Sequence, residues 1–201
     1  MNVSITSLLA AGVPLARRCR VLLSLLTLLV FPLLGGCESD ITPPEVDRDT
    51  TAPIQTDRPF YWLRTDWVGF TTEIALSYEN QAADTLYIVN CLRTLPAVLE
   101  KEVDGVWERF WAPILPRCLS PPIVMEPGGV LVDTLHVWGA LPGHNVGPAF
   151  KSEDVKGVYR IVMHQVVFHY DENSAGFGDP VPLEYRVSNA FALWRIGSRS
   201  P

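Results

Sequence analysis

The 201-residue chain predicts an all-β domain over 59–194, an antiparallel β-sandwich of about seven to nine strands. Three observations carry that expectation. Apolar runs are short and bounded by Pro, Gly, Asp and Asn, which is the punctuation of strands rather than of helices. Within 69–78, Phe70, Thr72, Ile74, Leu76 and Tyr78 alternate with Thr71, Glu73, Ala75 and Ser77, a period of two that gives one buried and one wetter face. Asp104-Gly105 sits between two further runs and supplies the pair of positive-φ residues that a type I′ hairpin turn requires.

In chain order the same pattern places strands at 60–64, 69–78, 85–91, 97–103, 106–110, 130–137, 157–170 and 183–193. Pro127-Gly128-Gly129 punctuates the approach to the sixth of them. The Gly- and Pro-rich stretch 138–151 reads as a long loop. Eight strands in about 135 residues suit a two-sheet sandwich. A large barrel and a two-domain dehydrogenase are disfavoured by the length.

Ahead of this domain lie two appendages. Arg17, Arg18 and Arg20 precede an apolar run over 21–34 broken only by Ser24, Thr27 and Pro32. Those fourteen residues make roughly 21 Å of helix against roughly 30 Å of hydrocarbon, so 1–36 reads as an export signal rather than a span. Arg17-Arg18 suggests twin-arginine export, but Cys19-Arg20-Val21 departs from that pattern and favours the general secretory route.

From Glu38 to Arg58 the chain carries six acids, three prolines and four threonines, with only Ile41, Val46 and Ile54 able to pack. A segment of that composition buries too little apolar surface to offset its ordering entropy, so 37–58 is expected to be a flexible acidic tether, and 195–201 a flexible tail. The signal holds three of the 16 basic residues and no acid, which leaves 13 basic against 22 acidic residues from Cys37 onward, a net charge of −9. Such a body repels phosphate backbones and anionic head groups, which argues against a nucleic-acid partner and against attachment through a basic patch.

Leu34-Gly35-Gly36-Cys37 resembles the lipobox of bacterial lipoprotein precursors, in which cleavage occurs before a lipidated cysteine. The resemblance implies a diacylglyceryl group on the Cys37 thiol, an N-acyl chain on its amine, no other cofactor, and membrane attachment through these lipids. At about 0.8 kcal/mol per buried methylene, one chain holds weakly and two or three hold stably. Glu38, where an aspartate would act as a retention signal in enterobacterial lipoproteins, resembles the default that leads to the outer membrane.

Within the domain, Asp154-Val155-Lys156-Gly157-Val158-Tyr159 resembles the stretch before strand F of immunoglobulin-like domains, where a tyrosine hydroxyl bonds back to the chain. Two departures mark it: Ile161 stands where antibody domains have cysteine, and Asp154 is one residue too far from the tyrosine. The architecture is similar also to small bacterial Ig-like domains that include an intracellular proteinase inhibitor family.

Cys91 and Cys118 are the two cysteines left to the exported domain, and an even pair outside the cytoplasm suggests a disulfide. Closing that loop would contribute about 3.5 kcal/mol on the chain-entropy model. No Gly-x-Ser-x-Gly, His-Glu-x-x-His or phosphate-loop motif is present, and the chain is expected not to be an enzyme. Asp133 and His136, three apart on a strand, point to opposite faces. His164 and His169 with Met163 carry soft-metal donors, but five apart they too diverge, and a packed histidine is the better reading.

The loop after Tyr170 begins like a calcium loop, with Asp171, Asn173 and Asp179 as candidate ligands, yet Ala175 and Pro182 stand where oxygen ligands are needed. Trp107, Arg109 and Trp111 share one face of an ideal strand, and aromatics flanking an arginine suit a binding face. They suit a core with a snorkelling arginine as well. The expected function is therefore a lipid-anchored envelope module that binds a protein or an envelope polymer. The alternatives are an envelope hydrolase whose site is dispersed in sequence and a proteinase-inhibitor-like domain.

Overall fold

The computed structural model describes residues 43–115, 120–171 and 178–195. The export signal, Cys37, Cys118, Asn173 and the tail from 196 lie outside them. The described chain is an all-β sandwich of short strands. In order these are β1 (Ile54–Thr56), β2 (Phe60–Trp62), β3 (Arg64–Thr65), β4 (Gly69–Glu79), β5 (Leu86–Ile88), β6 (Ala97–Val103), β7 (Val106–Trp111), β8 (Ile123–Met125), β9 (Val130–Ala140), β10 (Gly157–Met163), β11 (Val166–Val167) and β12 (Phe191–Trp194).

One sheet is centred on β4, with β9 along one side and β1 and β3 along the other. The second runs β2-β12-β10-β6-β7, all antiparallel except β2 with β12. A small third sheet, β11-β5-β8, continues where the chain leaves β10. Ile74, Leu76, Tyr78, Leu135 and Val137 from the first sheet join Leu99, Tyr159, Ile161, Phe191 and Leu193 from the second in one buried cluster. The alternation on β4 is as the sequence predicts: Phe70, Thr72, Ile74, Leu76 and Tyr78 are buried, while Glu73 is exposed and Thr71, Ala75 and Ser77 are half-buried.

The Asp104-Gly105 turn joins β6 to β7 through Val103 and Val106, with both turn residues at positive φ, 52° and 77°. That is the backbone a two-residue type I′ hairpin demands. The corner before β10 is closed by Tyr159, whose hydroxyl donates to the Val155 carbonyl at 2.9 Å. Asp154 has a different use there. The buried Lys101 ammonium donates to its carbonyl at 2.6 Å and its carboxylate at 2.8 Å, and also lies over the Phe110 ring.

Four expectations are corrected by the structure. The tether assigned to 37–58 contains a strand: Ile54 and Thr56 of β1 are buried and pair with Leu76 and Tyr78. Its single large apolar residue is too little for a periodic signal, and the pairing is secured instead by a polar anchor. Asn189, fully buried, accepts from the Thr56 amide at 2.7 Å and donates to the Thr56 hydroxyl at 3.0 Å, while its own amide donates to Ile54.

The same anchor explains the second correction. Instead of a strand over 183–193 there is a 3-10 turn at Leu183–Tyr185, then an irregular crossing, then β12. In the crossing, Ser188 and Asn189 side chains take backbone partners that a ladder would otherwise supply. Third, the strand expected over 157–170 breaks at His164 and Gln165, where the chain changes partner from β6 to β5. Fourth, the run at 60–64 divides between β2 and β3, which belong to different sheets. β8, flanked by prolines at 121, 122 and 127, was not anticipated.

Candidate binding face

β7 carries the residues that sequence reasoning singled out. Its register with β6 shifts between Leu99 and Glu100: Arg109 opposes Glu100, but Trp111 opposes Leu99, so Phe110 is the extra residue of a β-bulge. A bulge reverses the facing of everything beyond it. Trp107 and Arg109 therefore stay on the outer face, whereas Trp111 turns inward, 3% exposed, with its indole N–H donating to the Trp138 carbonyl at 2.8 Å. The expected three-residue face is thus corrected to two residues.

The outer face gains members that the sequence did not suggest. The Arg160 guanidinium lies 4.6 Å from the Trp107 ring centroid and bonds the Glu100 carboxylate through Nε at 2.8 Å and through a terminal nitrogen at 2.7 Å. These three come from β10, β7 and β6 and meet only through register, because Arg160 and Glu100 are direct cross-strand partners. Period-two patterning shows which side of a strand a residue takes but not which strand lies beside it. The tryptophan is consequently fixed by a cation on its face rather than free.

Beside Trp107 and Arg160 opens a cleft of about 460 Å³ whose far wall is the segment preceding β1, including Asp47 and Asp49, with Glu184 and Ser188 also lining it. Asp49 has its pKa lowered, first by the hydrogen bond from the Thr51 hydroxyl and then by that from the Thr51 amide. Carboxylates, one aromatic ring and a paired guanidinium line a polar cleft. They offer hydrogen-bond acceptors and contact area.

The remaining candidates are dispersed. Met163 is in the core, His169 is exposed and His164 is half-buried beside the break in the strand, so they do not form a common donor set. His164 Nε2 is buried without a hydrogen-bond partner, and its ring lines a small cavity of about 180 Å³ with Arg109 and Val98. Desolvation lowers its pKa, and the Arg109 and Arg186 charges add to that while Glu100 opposes them.

Asp133 lies on β9 with Oδ1 accepting the Thr134 amide, and His136 faces Glu73 at 3.5 Å, on opposite sides of the strand as the spacing requires. Of the candidate calcium ligands, Asp171 and Asp179 are exposed and Asn173 lies outside the described residues. Among the described residues no group of three or more His, Cys, Asp or Glu is placed to hold a metal ion. No described helix is long and apolar enough to cross a membrane.

No family model matches the sequence, and no curated protein does. Among solved structures the chain is similar to the ASH/PapD-like domain (PapD-like domain 7) of human CEP192, at 14% identity and a TM-score of 0.26, over 84% of this chain and 97% of that one. A likeness at that level carries neither fold nor function across. The fold rests on the strand pairing itself.

Proposed function

We propose that the chain is an exported lipoprotein, acylated on Cys37 and held at the cell envelope, whose sandwich serves as a non-catalytic binding module for a protein or an envelope polymer. The observation that carries the anchoring is Leu34-Gly35-Gly36-Cys37 directly after a basic, then apolar, stretch too short to span. Binding is supported by the half-exposed Trp107 at the rim of a polar cleft, with Arg109 further along the same outer sheet face.

A bridge between Cys91 and Cys118 belongs to the same proposal. It is supported by the even pair of cysteines left to the domain and by the burial of Cys91 in the tight turn after β5.

Metabolic labelling with a fatty-acid analogue tests the anchor: label is expected in the wild-type chain and lost in Cys37→Ser. Equal incorporation in both would overturn the lipoprotein reading. The module reading is tested by co-purification of the lipidated chain from its own envelope, with Trp107→Ala plus Arg109→Ala expected to abolish partner capture and leave the fold intact.

A further inference from the structure

Among the described residues, the 130–136 part of the long strand β9 is paired along one side only. Its partner β4 runs beside all eleven residues, and the direction of each backbone group follows from the ladder. The Asn80 amide donates to the Gly129 carbonyl, so Gly129 and every second residue after it turn toward β4. The even-numbered residues therefore turn outward. The far end of the strand shows this directly: the Ala140 amide donates to Pro148, its carbonyl accepts from Phe150, and the Trp138 carbonyl accepts the Trp111 indole.

From Val130 to His136 nothing takes that role among the described residues. The outward N–H and C=O groups of Val130, Val132 and His136 lack a backbone partner, and the Thr134 amide is turned to its neighbour Asp133 at 2.6 Å. Val130 and Val132 are also 60% and 76% exposed. An open ladder of this length, unbroken by proline or a bulge, is a template for another strand. It lies in line with the Pro148–Phe150 bonds that already occupy the same edge further along.

The charges around this edge select the occupant. Glu79 and Glu73 oppose Val130 and His136 on the outer surface, and Asp133 points to the inner side of the edge strand. A second copy of this chain would bring the same carboxylates together. We propose that the outward edge of β9 over 130–136 docks an extended, basic segment of a partner protein by β-strand addition, with main-chain bonds supplying affinity and its lysines or arginines on the outer face, the side of Glu73 and Glu79. The proposal rests on the binding-module reading and names the kind of partner.

Amide exchange of the full chain in detergent micelles, read at single-residue resolution, tests it with two capped nonapeptides of alternating Val and Lys or alternating Val and Glu. The Lys peptide is expected to slow exchange at Val130, Val132 and His136 at least tenfold, and the Glu peptide to leave it unchanged. Val132→Pro removes one outward donor at a position where an edge strand tolerates proline, and should cut the protection at Val130 and His136 about tenfold. Glu73→Lys with Glu79→Lys should shift the preference to the Glu peptide.

Unchanged exchange with the Lys peptide, equal protection by both peptides, or full protection retained in Val132→Pro would each overturn the edge assignment. None of these results touches the module reading, which falls only if Trp107→Ala with Arg109→Ala leaves partner capture from the envelope unaffected.

Discussion

On β7, Trp107 lies half-exposed beneath the Arg160 guanidinium, whereas Trp111, four residues on, is enclosed and bonded to the Trp138 carbonyl. Identical side chains on one strand, an even number of residues apart, would share a face in regular β structure. The inserted Phe110 separates them into surface and core. One residue of register therefore decides whether a tryptophan is available to a partner or contributes to stability.

That contrast is sharpest under truncation, which is where the largest effect is expected. Trp111→Ala opens a cavity against Gly139 and Phe150 and leaves the Trp138 carbonyl without its donor, so a loss of about 3 to 5 kcal/mol is expected in chemical denaturation. Trp107→Ala removes a ring held at the surface by one cation and should cost about 0.5 to 1 kcal/mol. Equal losses at the two positions would break the division between surface and core.

Much of the fold was legible in the sequence because one-sided burial leaves a period-two trace. β4 shows it fully, and the Asp104-Gly105 turn and the Tyr159 corner were readable because each requires a particular residue chemistry. What escaped was held by side-chain hydrogen bonds across the sandwich. β1 has one large apolar residue and depends on Asn189, 133 positions from Thr56, and the irregular crossing at 186–190 uses Ser188 and Asn189 in place of a ladder. The candidate face was half legible: its strand was found, but the bulge, Arg160 and Glu100 come from pairing that no local pattern encodes.

A smaller effect is expected at the Tyr159 corner, which extends the comparison from a bulge to a buried hydroxyl. Tyr159→Phe keeps the ring stacked near Phe191 and Phe110 but leaves the Val155 carbonyl unsatisfied, for a cost of about 1 to 3 kcal/mol. Burial raises the pKa of Tyr159 and Tyr78, and burial with the Asp57 hydrogen bond pushes Tyr61 up to about 12. The unfolded chain ionises its tyrosines near pH 10, so this contribution is complete below pH 10 and is lost as pH rises toward 12. Denaturation curves between pH 9 and 11.5 should show that decline, made shallower in Tyr159→Phe; parallel pH profiles would count against the buried corner.

The smallest effect concerns His164, which sits where β10 gives way to β11 and lines a small cavity with Arg109. Its Nε2 is buried and unbonded, and desolvation, then the Arg109 and Arg186 charges, lower its pKa against the pull of Glu100. The unfolded histidine takes a proton near pH 6.5, whereas the folded one resists it to lower pH. Its contribution to stability is therefore complete above pH 6.5 and is lost as pH falls through that value toward the folded pKa. Wild-type protein should weaken between pH 7 and pH 5 by an amount that His164→Gln partly removes, because glutamine has no proton to gain. The carboxylates titrate lower, near pH 4 in the unfolded chain, so the histidine component separates from theirs by its position on the pH axis. Identical slopes for the two proteins between pH 7 and pH 5 would show that the ring is solvated at the strand break, and would return Arg109 and its surroundings to the surface alone.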